Sequence, residues 1–193
     1  MKYAIFPLNL FILPGERTYL HIFEPRYKEL LKDVEDTKMP FGIYYESEEN
    51  RSGYGIMVNL IDVLKRYPGG ALDVEIEGDY LFRLDTFYQK FNKKLYSGGM
   101  VSRLHDKRNA KLDQQNFEQI TEFVRLRNVE KISEIPRYIW DSAIELNLSS
   151  QDKYELVRLD TIENQQSLLR SHIQLRKAIL EQEKQQEFNI NLN

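Results

Sequence analysis

Cysteine is absent from the 193 residues. That removes disulfides, thiol nucleophiles and thiolate metal ligands together, and is compatible with a reducing compartment. Histidine is scarce: His21, His105 and His172 stand far apart, with no His-Glu-x-x-His and no other ligand-type spacing, so no metal site is expected. Neither a Gly-x-x-x-x-Gly-Lys-[Ser/Thr] cradle nor a Gly-rich dinucleotide fingerprint occurs, which excludes P-loop ATP binding and leaves no expected cofactor. No Gly-x-Ser-x-Gly is present and no Ser-x-x-Lys stands in a context that supports a nucleophile; Ser149 reads as a helix cap. Neither sign of charge dominates: 27 basic against 30 acidic residues give a net charge of -3, so nucleic acid and anionic membrane are disfavoured as partners. No apolar stretch reaches membrane-spanning length and no secretory signal pattern opens the chain, which makes the cytoplasm the default expectation.

What is present falls into two halves, 1–108 and 109–193. The first is dominated by period two. An apolar strand through Phe6-Pro7-Leu8 reaches a turn at Leu13-Pro14-Gly15, and a second strand leads to a helix with Pro25 at its first position. Tyr27, Leu30, Leu31 and Val34 then fall at i, i+3, i+4, i+7, one buried helical stripe. Ile56, Val58 and Leu60 alternate with Met57, Ile61 and Val63, which predicts a central strand buried on both faces before Tyr67-Pro68-Gly69-Gly70 turns the chain. Leu72, Val74 and Ile76 alternate with Asp73, Glu75 and Glu77; Gly78-Asp79 reads as the turn of a hairpin whose second strand carries Phe82, Arg83 and Leu84. Paired glycines at Gly98-Gly99 predict a bulge or sharp bend of the kind that closes a barrel.

Beyond the polar, basic stretch His105 to Lys111 the period becomes helical. Phe117, Ile120 and Val124 mark a helix opening near Asp113; Ser133 is the expected cap of a second, with Pro136 in its first turn and Ile139, Trp140, Ala143 and Ile144 on its apolar face. Ser149 with Asp152 caps a third and Thr161 a last, which at ~1.5 Å per residue spans on the order of 35 Å. The fold class is therefore α+β: a partly closed β-barrel lobe followed by about four helices, the last one long.

The order Phe6-Pro7-Leu8, then Leu13-Pro14-Gly15, then Leu20-x-Ile22-Phe23-Glu24-Pro25-Arg26-Tyr27 resembles the LON domain, the N-terminal substrate-binding domain of ATP-dependent protease La. Phe41-Gly42-Ile43, Tyr54-Gly55-Ile56, Gly78 with Phe82-Arg83-Leu84, and Leu146 to Leu156 fit the same pattern. The resemblance implies a PUA-like barrel and a recognition module without the ATPase motor or Ser-Lys peptidase of the full protease, hence no catalysis of its own. Its implied partners are unfolded or misfolded polypeptides, a separate AAA+ protease, and a further copy of the chain. Where relatives carry basic residues before the aromatic, this chain has Tyr80 and Leu81, so that feature does not carry over.

Glu24 and Arg26 read as struts, Glu24 beside the positive helix end and Arg26 paired with a sheet carboxylate. With 12 tyrosines and 10 phenylalanines the chain has aromatics to spare for a peptide surface, and Tyr44, Tyr54, Tyr67, Tyr88 and Phe91, near strand ends and turns, are the candidates. An exposed edge strand would offer strand addition. The alternatives are an RNA-binding PUA-like module using Lys90, Lys93, Lys94 and Phe91 or His105 to Lys111, a small-molecule enzyme, and self-association through the last helix and the 188–193 tail.

Overall fold

The computed structural model of the chain describes residues 2–107, 109–127 and 134–191, the last five as backbone only. It divides into two compact units, Met1–Lys107 and Arg108–Asn193.

The first unit runs β1 (Lys2–Leu8), β2 (Arg17–Ile22), α1 (Pro25–Thr37), β3 (Phe41–Tyr45), β4 (Tyr54–Arg66), β5 (Leu72–Tyr88) and β6 (Ser97–Arg103). The sheet order is β2-β5-β4-β3-β1-β6, and a further β5–β6 pairing closes β5, β4, β3, β1 and β6 into a ring. Only β1 and β3 run parallel; every other pair is antiparallel. β5 makes this possible by dividing its 17 residues: Leu72 to Glu77 pair with β2, and Phe82 to Tyr88 with β6. The expected partly closed barrel is thus a five-stranded ring with a three-stranded flap of β2, β5 and β4.

The Gly78-Asp79 hairpin turn is not formed. β5 passes straight through, with Val58 opposite Gly78 and Met57 opposite Tyr80, so Asp79 is the extra residue of a bulge. The Leu13-Pro14-Gly15 turn explains the glycine. Gly15, at φ 82°, donates its N–H to the Gly78 carbonyl (2.8 Å), and Gly78 donates to Glu16 O (2.9 Å). A Cβ at Gly78 would fall closer than 3.0 Å to the Leu13 carbonyl oxygen, so the turn docks where a side chain would stand.

β4 also departs from expectation. Gly55 to Val58 are buried inside the ring, but Asn59 and beyond emerge from it, leaving Ile61 41% and Leu64 51% exposed. β3 begins opposite Val58, so β4 has no β3 partner beyond it, and register shifts make Ile61 and Leu64 the extra residues of two further bulges, which turn their side chains out. α1 buries the stripe Tyr27, Leu30, Leu31 and Val34. Polar ties hold the helix: Asp33 with Lys94 (2.7 Å) and the Tyr96 hydroxyl (2.7 Å), Glu35 with Arg66 (2.5 Å), and Lys28 with the Gly69 carbonyl (2.9 Å).

The second unit comprises α2 (Gln114–Arg127), α3 (Ile139–Glu145), α4 (Ser150–Arg158) and α5 (Ile162–Asn191). The Asp113, Ser149 and Thr161 side chains accept from Asn116, Asp152 and Asn164 N–H groups (2.7, 3.1 and 3.2 Å), so the three caps are formed. α3 starts later than expected: its N-cap is Tyr138, Pro136 lies outside the helix, and Ser133 falls outside the described residues. The chain before α3 is held extended by a bridge between Lys111 and Tyr138 and by Ile139 N–H bonding Ala110 O (2.9 Å). α2 and α5 share a buried polar ladder. Asn116 donates to Gln166 O (2.9 Å) and Oε1 (2.6 Å), while Arg170 donates to Asn116 Oδ1 (3.1 Å) and Asp113 Oδ2 (2.8 Å).

Candidate functional site

The opening motif surrounds one cleft of about 280 Å³, between the end of β1 and the end of β2 at the start of α1. Phe6, Pro7 and Leu8 form one wall; Ile22, Phe23 and Glu24 the other. Phe6 stacks on Tyr27 with ring centroids 3.6 Å apart, and burial pushes the Tyr27 phenol above its ordinary pKa against the pull of Arg26. The Arg26 guanidinium lies 4.5 Å over the Tyr27 ring and bonds Glu24 Oε2 at 2.9 Å. Arg26 therefore pairs with its own motif's carboxylate, not with one on the sheet. Glu24 occupies the N-cap of α1 in extended conformation, but its side chain makes no capping bond, being taken by Arg26.

β2 carries the motif outward. Thr18, Leu20 and Ile22 turn to the interior, Tyr19 and His21 to solvent. Tyr19 at 67% and Phe23 at 62% are the two most exposed large apolar side chains among the described residues. His21 connects them to β5: its Nδ1 lies 2.6 Å from Asp73 Oδ1, and the Tyr67 hydroxyl donates to Asp73 Oδ2 at 2.7 Å. Those two bonds, His21's first, hold the Asp73 carboxyl below its usual range. The His21 ring also stacks near Phe23 (6.0 Å) and meets Tyr67 edge-on (5.6 Å), with Lys65 4.5 Å over Tyr67. The result is a fixed row of rings beside the cleft, on the face of a sheet flap.

β2 is also the sheet's open edge. Among the described residues it pairs with β5 alone, in uninterrupted register from Arg17 opposite Glu77 to Ile22 opposite Leu72. The stretch of β4 beyond Val58 has an unpaired side too, but two bulges and an Asp62 carboxylate that takes the Val63 N–H (2.8 Å) disrupt it. Beside it a cleft of about 330 Å³ is lined by Glu35, Lys38, Met39, Ile61 and Asp62.

Of the aromatics singled out from sequence, only Tyr67 belongs to this row. Tyr44 is half-buried against Ile5, Met57, Phe82 and Val101. Tyr54 is half-buried where Asn50 clamps its backbone N–H and carbonyl (both 2.8 Å). Tyr88 lies 5.5 Å beneath the Lys2 ammonium, and Phe91 packs beside Tyr96 over Gly98, where a Cβ would approach the ring closer than 3.0 Å. Tyr19 and His21 were missed, although the alternation Thr18-Tyr19-Leu20-His21-Ile22 is a readable period of two. Phe82 is fully buried, and Arg83 is exposed and pairs with Asp85 (3.6 Å). Lys94, the last lysine of the candidate patch Lys90, Lys93 and Lys94, is taken by Asp33 (2.7 Å) and Glu29 (3.6 Å). One Ser-x-x-Lys spacing does exist, Ser150 to Lys153, in the first turn of α4; Lys153 is buried and neither residue lines the two clefts just described. No group of three or more His, Asp or Glu among the described residues is placed to hold a metal ion, and no described helix is long and apolar enough to cross a membrane.

The fold is mixed α+β: a strand ring with an open, aromatic-faced flap, joined in sequence to a helical unit. The family model of the ATP-dependent protease La (LON) substrate-binding domain matches residues 2–188, and the chain belongs to that family. In structure it is similar to a Lon N-terminal domain protein from Xanthomonas campestris, with a TM-score of 0.64 and 23% identity, covering 89% of this chain and 96% of that one. The N-terminal domain of the Mycobacterium avium complex Lon protease is similar at a TM-score of 0.61 and 11% identity, covering 90% and 98%. No curated protein matches it in sequence.

Proposed function

We propose that this chain binds unfolded or hydrophobic polypeptide segments without cutting them, on the face built by β2 and the opening motif, and serves as a recognition or adaptor module for a separate AAA+ protease. The carrying observation is that the two most exposed large apolar side chains among the described residues are Phe23, which lines the cleft formed by the family motif, and Tyr19, on the solvent-facing side of β2 that leads to it. Membership of a substrate-binding family supports polypeptide as the ligand class. Aromatic side chains fixed in a row give large contact area at low entropic cost, which suits weak binding of many sequences.

The test is retention of a reduced, denatured protein and of apolar peptides on the immobilised chain. Retention is expected with the parent and loss with the Tyr19→Ser, Phe23→Ser double variant, whose two exposed positions leave the core intact. Absence of binding by the parent overturns the function, and undiminished binding by the double variant overturns the site. Affinity capture with the parent but not the variant then asks whether an AAA+ protease accompanies the clients.

A further inference from the structure

Resting on that reading, we infer that the segment is bound by strand addition to the outer edge of β2, and that the edge favours an extended segment alternating apolar with basic side chains. In an antiparallel ladder, alternate residues of an edge strand direct their N–H and C=O away from the sheet. β2 offers six residues of such edge with no proline, no bulge and, among the described residues, no strand on its outer side. The contrast within the same sheet is direct, since the unpaired part of β4 is interrupted by bulges at Ile61 and Leu64. Bulges and inserted charges are how sheets protect an edge from added strands. β2 has neither.

The side-chain preference follows from the two faces of the added strand. Inner-facing residues would stand beside Leu20 and Ile22, and Ile22 lines the motif cleft, so an apolar side chain there enters a ready cavity of about 280 Å³. Outer-facing residues would stand beside Arg17, Tyr19 and His21. One strand further in lie Asp73, Glu75 and Glu77, in register with His21, Tyr19 and Arg17 respectively. Asp73 is engaged by His21 and Glu77 by Arg17, both at 2.6 Å. Glu75 takes no hydrogen bond or ion pair among the described residues. Strands stand ~4.8 Å apart, so an added lysine beside Tyr19 starts on the order of 10 Å from the β5 backbone and reaches back across the exposed Tyr19 ring toward Glu75. A carboxylate in the same place would meet Glu75 as a like charge. Main-chain bonds make the mode tolerant of sequence, and alternation makes it selective.

Seven-residue acetylated peptides alternating leucine or valine with lysine are the probe, N-methylated at one backbone position at a time. Strand addition predicts a period of two: methylation at alternate positions weakens binding by about tenfold, and at the intervening positions hardly at all. Amide hydrogen exchange of the whole chain with the unmethylated peptide should show added protection at alternate residues of Arg17–Ile22 and none from Asn59 to Arg66. Replacing lysine by norleucine should weaken binding ~2–5-fold in the parent and leave it unchanged in Glu75→Gln. Equal sensitivity to methylation at every position or at none, or protection confined to β4, overturns the edge assignment. An unchanged lysine-to-norleucine ratio in Glu75→Gln overturns the basic preference. If the unmethylated peptide and denatured protein both fail to bind, the function proposed above falls first.

Discussion

Replacing Gly78 by alanine should destabilise the barrel by about 3 kcal/mol, although no backbone dihedral forbids it. The residue is not at positive φ, so the cost is spatial. Its added methyl would sit closer than 3.0 Å to the Leu13 carbonyl oxygen and 3.2 Å from the Leu13 carbonyl carbon, both backbone atoms that no rotamer change moves aside. Since carbon-to-oxygen contacts settle near ~3.3–3.6 Å, the Leu13-to-Glu16 turn must retreat by roughly 1 Å. Two backbone hydrogen bonds cross that gap, Gly15 N to Gly78 O at 2.8 Å and Gly78 N to Glu16 O at 2.9 Å. Losing them costs about 1 kcal/mol each, and because the turn retreats, residual overpacking stays at the low end of its usual range and adds about 1 kcal/mol. Gly69→Ala is the control, because nothing stands within 4 Å of its added methyl and its φ is ordinary. The assay is urea unfolding followed by strand circular dichroism and tyrosine signals, since the single tryptophan, Trp140, belongs to the helical unit. At a slope of about 2 kcal/mol/M the midpoint should fall by roughly 1.5 M. A fall no larger than that of Gly69→Ala would show that the turn is free to move and that docking on Gly78 does not hold it.

The Asp33 carboxyl is held below its ordinary range first by its bond to Lys94 and then by the Tyr96 hydroxyl. A depressed folded-state value means that the stabilisation is complete above the unfolded carboxylate range and is lost as pH falls through the folded value. Asp33→Asn should therefore flatten the acid limb of the first unit's stability profile, which pH-dependent urea midpoints will show. In the helical unit, Ser149→Ala removes the side chain that accepts from Asp152 N–H, and Trp140 fluorescence should report a loss of about 1 kcal/mol.

The local part of this protein was readable in its sequence. The stripe Tyr27, Leu30, Leu31, Val34, the helix start near Asp113 and the caps at Ser149 and Thr161 came out as expected, because each depends on neighbours three or four residues away. Where a signal admitted two local readings, the wrong one was open. Gly78-Asp79 suits a turn or a bulge equally, and the choice was made by a turn some sixty residues upstream in the chain. Aromatics were similar: Tyr44 and Tyr67 look alike in sequence, yet one packs against the barrel core and the other stands in the row beside His21.

By itself, then, the sequence determined the helical stripe, the caps, the Pro14-Gly15 turn and the alternation of individual strands, all of which arise from backbone geometry and side-chain spacing over a few residues. Tertiary structure decided the rest. The parallel β1–β3 pairing, the closure of β5 on β6, the bulges that close one sheet edge and the regular register that leaves β2 open are long-range choices. They are settled by which distant strands satisfy each other's backbone groups while burying Ile5, Met57 and Phe82. That is why the motif residues, separated in the chain, meet around a single cleft.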